Sequence, residues 1–412
     1  MKIHELEHKK ILIAGYGIEG KATHAFLKKF VPTATVGIAD QEKDGVSYLD
    51  VQGDYDLVIK TPGIKKELIT IPYTTATNIF FANLDSRHTT IGVTGTKGKS
   101  TTASLIYHIL KTRGIKTELI GNIGRPMLDI LIEEPTADTT CVIELSSYQL
   151  ADITYSPDIS LVVSLYPDHI PYHGSVESYF EAKHQILSHA RADQFYVYNP
   201  AFPKLVEWAA TTEAHPVPYE STFEPTHSRL LGRHNRDNVR GAFTVTNILG
   251  ISYQDADLTL DTFQALPHRL EKVGEFEGIT FYDDAISTTP ESTIAALDAL
   301  PLTKTIFLGG EDRGYDFKVL SQELISRNIQ AIVLFPDSGT RILSELEKLS
   351  MESIQVCQTS SMQEAVTFAY KHTPQGSVCL LSTASPSYSL WKNFIEKGNQ
   401  FQQFVKEYAK AP

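Results

Sequence analysis

Short apolar runs alternate with amphipathic stretches along almost the whole chain. KILIAGYG, residues 10–17, reads as a strand entering a glycine turn. GKATHAFLKKF follows with Ala22, Ala25, Phe26 and Phe30 on one face, the spacing of an amphipathic helix. TVGIAD predicts a second strand ending at Asp40, and DLVIKTPG a third, closed by a Pro-Gly turn. TTIGVTG opens a new strand and loop, with a helix from Ser100 that stops at Gly114. TCVIELS, ISLVVSLY and FYVYNP predict further strands, and VESYFEAKHQILSHA and GRHNRDNVRGAFTVTNIL predict helices. Beyond residue 266, KTIFLGG, AIVLFP and SVCLLS read as strands. DFKVLSQELISR, GTRILSELEKL, SMQEAVTFAYKH and SLWKNFIEKGNQFQQFVKEYA read as helices between and after them. Strands alternating with helices imply an α/β fold of mainly parallel sheets with helices on their faces. Three domains are expected, over 1–88, 89–266 and 267–412, with no solenoid repeat.

Composition sets bounds on this picture. The chain has 412 residues, 42% hydrophobic and 21% charged, enough to bury large cores without disulfides. A net charge of −12 argues against broad nucleic-acid binding. Cys141, Cys357 and Cys379 show no paired spacing, which fits a reducing compartment. The first residues, MKIHELEHKK, lack the apolar segment of a signal peptide. No apolar run approaches the ~20 residues needed to span a bilayer. A cytoplasmic, monomeric protein without membrane insertion is the expectation.

Several stretches carry candidate chemistry. Gly15-Tyr16-Gly17-Ile18-Glu19-Gly20 follows a strand, opens a helix and precedes Asp40 at the next strand end. That context suits a diphosphate held at a helix N-terminus, whether or not the molecule is a dinucleotide. Gly95-Thr96-Lys97-Gly98-Lys99-Ser100 sits at another strand–helix junction. Its amides can converge on phosphate oxygens, Lys99 can reach the terminal phosphates, and the Ser100 hydroxyl can coordinate Mg²⁺. The loop is shorter than the usual nucleotide motif, and by itself it suits a kinase or an ATPase equally. Glu144 ends a strand beside that loop, where a carboxylate is well placed to hold a metal. His169, in YPDHIPYHG, can ligate a metal or orient a carboxylate. Lys183 lies among apolar helix positions and reads locally as a surface lysine. Asp283 and Asp284 end a strand and suit ribose hydroxyls or a metal. Arg313, after a glycine pair, can grip a carboxylate with its forked guanidinium. Ser382–Ser387 offers a run of hydroxyl donors.

Taken in order, GVTGTKGKST, GNIG, ELSSYQL, DH followed by Lys183, GRHNRDN, LPHR and LLSTASPSYSLWKNF resemble the Mur ligase family over essentially the entire chain. The short phosphate loop is that family's own form. The resemblance implies three α/β domains: a Rossmann-like first domain, a central phosphate-loop ATPase domain and a Rossmann-like third. It implies an ATP- and Mg²⁺-dependent ligase that adds glutamate to UDP-N-acetylmuramoyl-L-alanine in peptidoglycan precursor synthesis. In that reading Gly15, Gly17, Asp40, Thr61, Pro62, Gly63, Asn122, Ser146 and Gln149 serve the UDP-bearing substrate. Gly95–Thr101, Asn235, Asn238, Arg269 and Asp284 serve ATP. Lys99, Glu144, His169 and Lys183 are catalytic, with Lys183 carbamylated so that it joins Ser100, Glu144 and His169 around the metal ions. Thr288, Arg313, Ser387 and Phe394 line the glutamate pocket. Two positions depart from the pattern: Ile286 and Arg313 stand where lysines are usual. D-glutamate is the conventional expectation and L-glutamate the rival. A folate-type ligase is disfavoured by the UDP-type first domain, and a nicotinamide dehydrogenase by the absence of any hydride chemistry downstream.

Overall fold

The computed structural model describes residues 1–410 except 135–137, 221, 229, 350 and 352. The chain divides into two compact units, one of Met1–Arg229 with His234–Phe263, the other of Leu230–Arg233 with Gln264–Pro412.

The first unit holds two sheets. Strands β1 (Lys10–Ala14), β2 (Thr35–Ala39), β3 (Leu57–Lys60) and β4 (Tyr73–Thr74) pair in the order β2-β1-β3-β4, all parallel. Successive side chains of β1 point to opposite faces. Ile11 and Ile13 therefore meet Phe26 and Leu27 of the helix Ile18–Phe30 in one layer. Leu12 and Ala14 meet Ala39 and Val58 in the other. Burial on both faces is why these strands read as continuous apolar runs.

Six parallel strands make the second sheet: β5 (Thr89–Thr94), β6 (Thr117–Gly121), β7 (Thr140–Glu144), β8 (Ile159–Val162), β9 (Phe195–Tyr198) and β10 (His215–Pro218). Their order is β10-β9-β8-β5-β7-β6, so β5 lies between β7 and β8 and the chain winds away from it in both directions. The crevice at such a switch point, outside the carboxyl ends of the strands, is where open α/β sheets bind ligands. The helix Met127–Glu133 sends Met127, Leu128 and Ile130 into the cluster that also contains Ile11 and Phe26. The two sheets thus share one core.

The second unit is built on β11 (Glu271–Phe276), β12 (Ile279–Asp283), β13 (Thr303–Gly309), β14 (Ala331–Phe335), β15 (Gln355–Gln358) and β16 (Val378–Leu381), ordered β11-β12-β16-β13-β14-β15. All pairs are parallel except β11 with β12. The edge strands β11 and β15 were not legible as strands. Neither has a buried residue, and their charged and polar positions hide the apolar signal.

No helix among the described residues is long and apolar enough to cross a membrane.

Candidate active site

Each sheet of the first unit carries a glycine-rich turn into a helix at the carboxyl end of a central strand, the place where open α/β sheets bind ligands. In the first sheet, the turn after β1 meets the end of β3. Gly15 has φ +85°, and a Cβ there would collide with the Thr61 hydroxyl, so only glycine fits. Thr61 in turn donates from its hydroxyl to the Ala14 carbonyl at 3.0 Å. Asp40 caps the short helix Gln41–Asp44 by accepting from the Glu42 amide at 3.0 Å, while its other oxygen accepts from the Tyr16 amide. Asp40 therefore shapes the glycine turn as well as bordering it. Gly15, Gly17, Asp40 and the Thr61-Pro62-Gly63 turn lie around this turn.

In the second sheet, the phosphate loop joins β5 to the helix Lys99–Thr112. Gly98 is left-handed at φ +85°, and a Cβ there would strike the Asn238 side-chain oxygen and Val163. Asn238 accordingly packs on the loop from the helix Arg233–Ile248, and its amide donates to the Asn235 side chain at 2.9 Å. Thr96 is clamped by the Tyr166 amide at 2.9 Å and the Tyr179 hydroxyl at 3.1 Å. Ser164 accepts from the Lys97 amide at 2.9 Å. Lys99 donates to the Thr96 carbonyl at 3.0 Å, within its own loop. Ser100 and Thr101 occupy the first helical turn.

Glu144 lies opposite Val93 in the β5–β7 register, so the sheet itself sets its carboxylate beside the loop. One oxygen accepts from the Asn122 amide at 2.9 Å. The other is buried with no partner among the described residues, a costly state for an acceptor unless a cation or donor meets it. His169 adopts a left-handed backbone at φ 53° and bonds the Tyr148 hydroxyl through Nδ1 at 3.0 Å. Burial lowers its pKa, Asp168 opposes this, and Lys99 and Lys183 push further down, which favours the neutral imidazole.

Lys183 departs most from its local pattern. It is 1% exposed, not a surface lysine. Its amine donates to the Gly95 carbonyl at 2.9 Å and lies 4.9 Å from the Tyr179 ring centre. Burial, reinforced by Lys99, holds its pKa well below the ordinary lysine range. A neutral buried amine is nucleophilic, the state that reacts with CO₂ to form a carbamate. Ser146 and Gln149 form a reciprocal cap at the start of the turn Ser147–Leu150. Gln149 also reaches Glu19 of the first sheet's helix at 3.4 Å.

The second unit gathers its own candidates at the ends of β12, β13 and β16. Asp284 accepts from the Leu270 amide at 3.2 Å and the Ser382 hydroxyl at 2.9 Å, and burial raises its carboxyl to about 6, with Arg269 among the groups opposing. Ser387 has a buried hydroxyl without a partner among the described residues. Phe394 opens the helix Phe394–Tyr408 and lies 6.2 Å from the His268 ring. Thr288 is half-buried just before the helix Pro290–Ala299. Arg313 pairs with Glu311 of its own loop at 2.8 Å and stands 5.8 Å from the Tyr388 ring, so its fork is partly occupied. His268, Glu271 and Asp283 converge closely enough to suit a cation. Gln402 already donates to both carboxylates at 3.0 and 2.9 Å, and His268 bonds Asp283 at 2.7 Å, which makes the trio a satisfied hydrogen-bond network.

Sequence reading missed several residues that hold these sites. Lys60 forms a buried ion pair with Asp152 at 2.6 Å, and Tyr73 donates to the same carboxylate at 3.0 Å. The one available signal for Lys60 was a lysine closing the apolar run LVIK.

Comparison with known proteins adds a separate line of evidence. The Mur ligase middle domain matches residues 93–224, and the Mur ligase glutamate ligase domain matches residues 268–384. The UDP-N-acetylmuramoyl-L-alanine--L-glutamate ligase of Salinispora tropica is 34% identical, across 99% of this chain and 100% of that protein. The UDP-N-acetylmuramoylalanine--D-glutamate ligase of Leuconostoc citreum is 30% identical, across 99% of each. The MurF ligase of Thermotoga maritima, solved in complex with ADP, aligns over 98% of this chain and 97% of its own, with a TM-score of 0.62 and 16% identity. The last likeness concerns the fold alone.

Proposed function

The chain belongs to the Mur ligase family, and on that premise we propose that it joins glutamate to UDP-N-acetylmuramoyl-L-alanine with ATP, through an acyl phosphate. The observation that carries the reading is the Glu144 carboxylate, half-satisfied among the described residues and buried beside a glycine-shaped phosphate loop and a lysine whose pKa burial lowers. A plain structural carboxylate would have both oxygens matched.

Each residue then has a task. The amides of Gly95–Ser100 and the Lys99 ammonium grip the ATP phosphates. Asn235 and Asn238 flank the nucleotide from their helix, and the family resemblance assigns Arg269 and Asp284 to ATP as well. Ser100, Glu144, His169 and a carbamylated Lys183 have the oxygen and nitrogen donors to hold Mg²⁺. Bound there, Mg²⁺ would offset the charge on the transferring phosphoryl group. The alanine carboxylate oxygen attacks the γ-phosphorus, the bond to ADP breaks, and an acyl phosphate forms. The glutamate amine attacks its carbonyl carbon. The C–N bond forms, phosphate leaves with the bridging oxygen's electron pair, and the amine proton is lost. Excluding water protects the acyl phosphate in between. Thr288, Arg313, Ser387 and Phe394 receive glutamate. Gly15, Gly17, Asp40, Thr61-Pro62-Gly63, Asn122, Ser146 and Gln149 receive the UDP-bearing substrate. The three functional domains of this reading are 1–88, 89–266 and 267–412.

D-glutamate is the conventional amino acid for this reaction. A second reading, L-glutamate, is favoured by Ile286 and Arg313 in the pocket and by the 34% identity to the Salinispora enzyme. Phosphate release with ATP, Mg²⁺ and UDP-N-acetylmuramoyl-L-alanine, run with each isomer, decides between them. Silence with both refutes the glutamate ligase reading.

A further inference from the structure

The substrate of this reaction is long. Its nucleotide end and its reacting carboxylate would lie at the carboxyl ends of two different sheets. The span between those ends must then match the molecule, and something must hold it.

The loop Thr61–Lys65, one wall of the first crevice, is tied to the second sheet's elements at several points. Immediately before it, the Lys60 amine meets Asp152 at 2.6 Å, with both side chains enclosed, and donates to the Ile64 carbonyl at 2.9 Å. Asp152 follows the Glu144–Leu150 segment and also accepts from the Tyr73 hydroxyl at 3.0 Å. From the helix Ile170–His173, the Tyr172 hydroxyl donates to the carbonyls of Pro62 at 3.1 Å and Ile64 at 3.3 Å. The Lys65 amine donates to the Pro171 carbonyl at 3.2 Å. Tyr172 also packs edge-on against Tyr148 at 4.4 Å, and Tyr148 holds His169. The wall of one crevice and the histidine of the other are thus ends of one short chain of contacts.

A buried ion pair is a weak source of stability, since apolar residues of similar volume often do as well. It is a strong source of geometry, because the pair bonds only in one arrangement. We infer that Tyr172 and the Lys60–Asp152 pair are positioning residues that fix the span between the nucleotide crevice and the phosphate loop, and so set which length of UDP-bearing substrate reacts. The inference rests on the ligase reading above.

Two full-length variants test it. Tyr172→Phe keeps the ring and removes the hydroxyl. The double change K60M/D152L replaces the ion pair by apolar groups and leaves no lone buried charge. Misplacement of about 1 Å is enough to cost a reaction about 100-fold. Each variant should lower kcat/KM for UDP-N-acetylmuramoyl-L-alanine by about tenfold or more. The KM for ATP and the thermal midpoint should stay at wild-type values. An unchanged kcat/KM for the UDP-bearing substrate overturns the inference. So does a parallel rise in the KM for ATP, or a falling midpoint, since either marks a general loosening of the fold. Wild-type protein that releases no phosphate with either glutamate isomer refutes the ligase reading, and the inference falls with it. Wild-type turnover with unaffected variants refutes the inference alone.

Discussion

Lys397 offers a quantitative test of how this fold treats a buried charge. Its side chain, carried on the helix Phe394–Tyr408, is fully enclosed, its amine donates to the Thr383 hydroxyl, and it stands 5.9 Å from the Trp391 ring. Burial pushes the ammonium down to about 7, with Asp283 and Asp284 opposing. A lysine in the unfolded chain titrates near 10.4. Between about 7 and about 10.4 the unfolded chain therefore holds a proton that the folded protein has released, and stability rises with pH. Below about 7 the penalty is full and constant, and above about 10.4 it is gone. The limiting slope is about 1.4 kcal/mol per pH unit, which integrates to about 2.3 kcal/mol from pH 7 to pH 9. Lys397→Met retains the length and packing of the side chain and removes this contribution. The protein has two tryptophans, Trp208 and Trp391, so a Trp208→Phe background lets Trp391 report on the second unit. Urea unfolding at pH 7, 8 and 9 then gives stability with and without Lys397, and other titrating groups cancel in the difference. The lysine protein should gain on the methionine variant by about 2.3 kcal/mol over that range. A difference that stays flat would mean that the amine keeps its charge inside the fold, and would refute the reasoning.

Other consequences follow from the phosphate-loop crevice. Glu144→Gln keeps the Asn122 contact and removes the buried charge. Its kcat in phosphate release should fall by about 100-fold or more, while its thermal midpoint holds or rises; a large loss of stability would mark Glu144 as structural. Gly98→Ala meets both a left-handed backbone and the Asn238 side chain. It should lower stability by about 1–3 kcal/mol and raise the KM for ATP, read by urea unfolding and steady-state kinetics. Lys183→Ala should abolish turnover and partly recover it with added short-chain carboxylates that stand in for the carbamate. Retained activity, or loss without recovery, would count against carbamylation.

Much of the crevice chemistry was legible because it is local. A glycine loop between strand and helix and a carboxylate ending a β-branched strand are both short-range patterns. Lys183 shows the limit of such reading. Its neighbours in sequence describe an amphipathic helix, and only the packing of that helix against the phosphate loop puts the amine beside Gly95. Arg313 shows the converse: its sequence context left the guanidinium open to a carboxylate ligand, and the fold supplies Glu311 first.

The sequence by itself determined the alternation of strands and helices, the apolar faces that make parallel sheets, and the loops at the strand ends. Those follow from backbone sterics and the hydrophobic period, which act over a few residues. Only the tertiary structure decided which loops share a crevice, that Lys60 meets Asp152, that Tyr172 reaches the carbonyls of Pro62 and Ile64, and which titratable groups lose water. These pairings join residues about 80–110 positions apart, and burial, which lowers the pKa of Lys183 and Lys397, exists only once distant surfaces have closed over them.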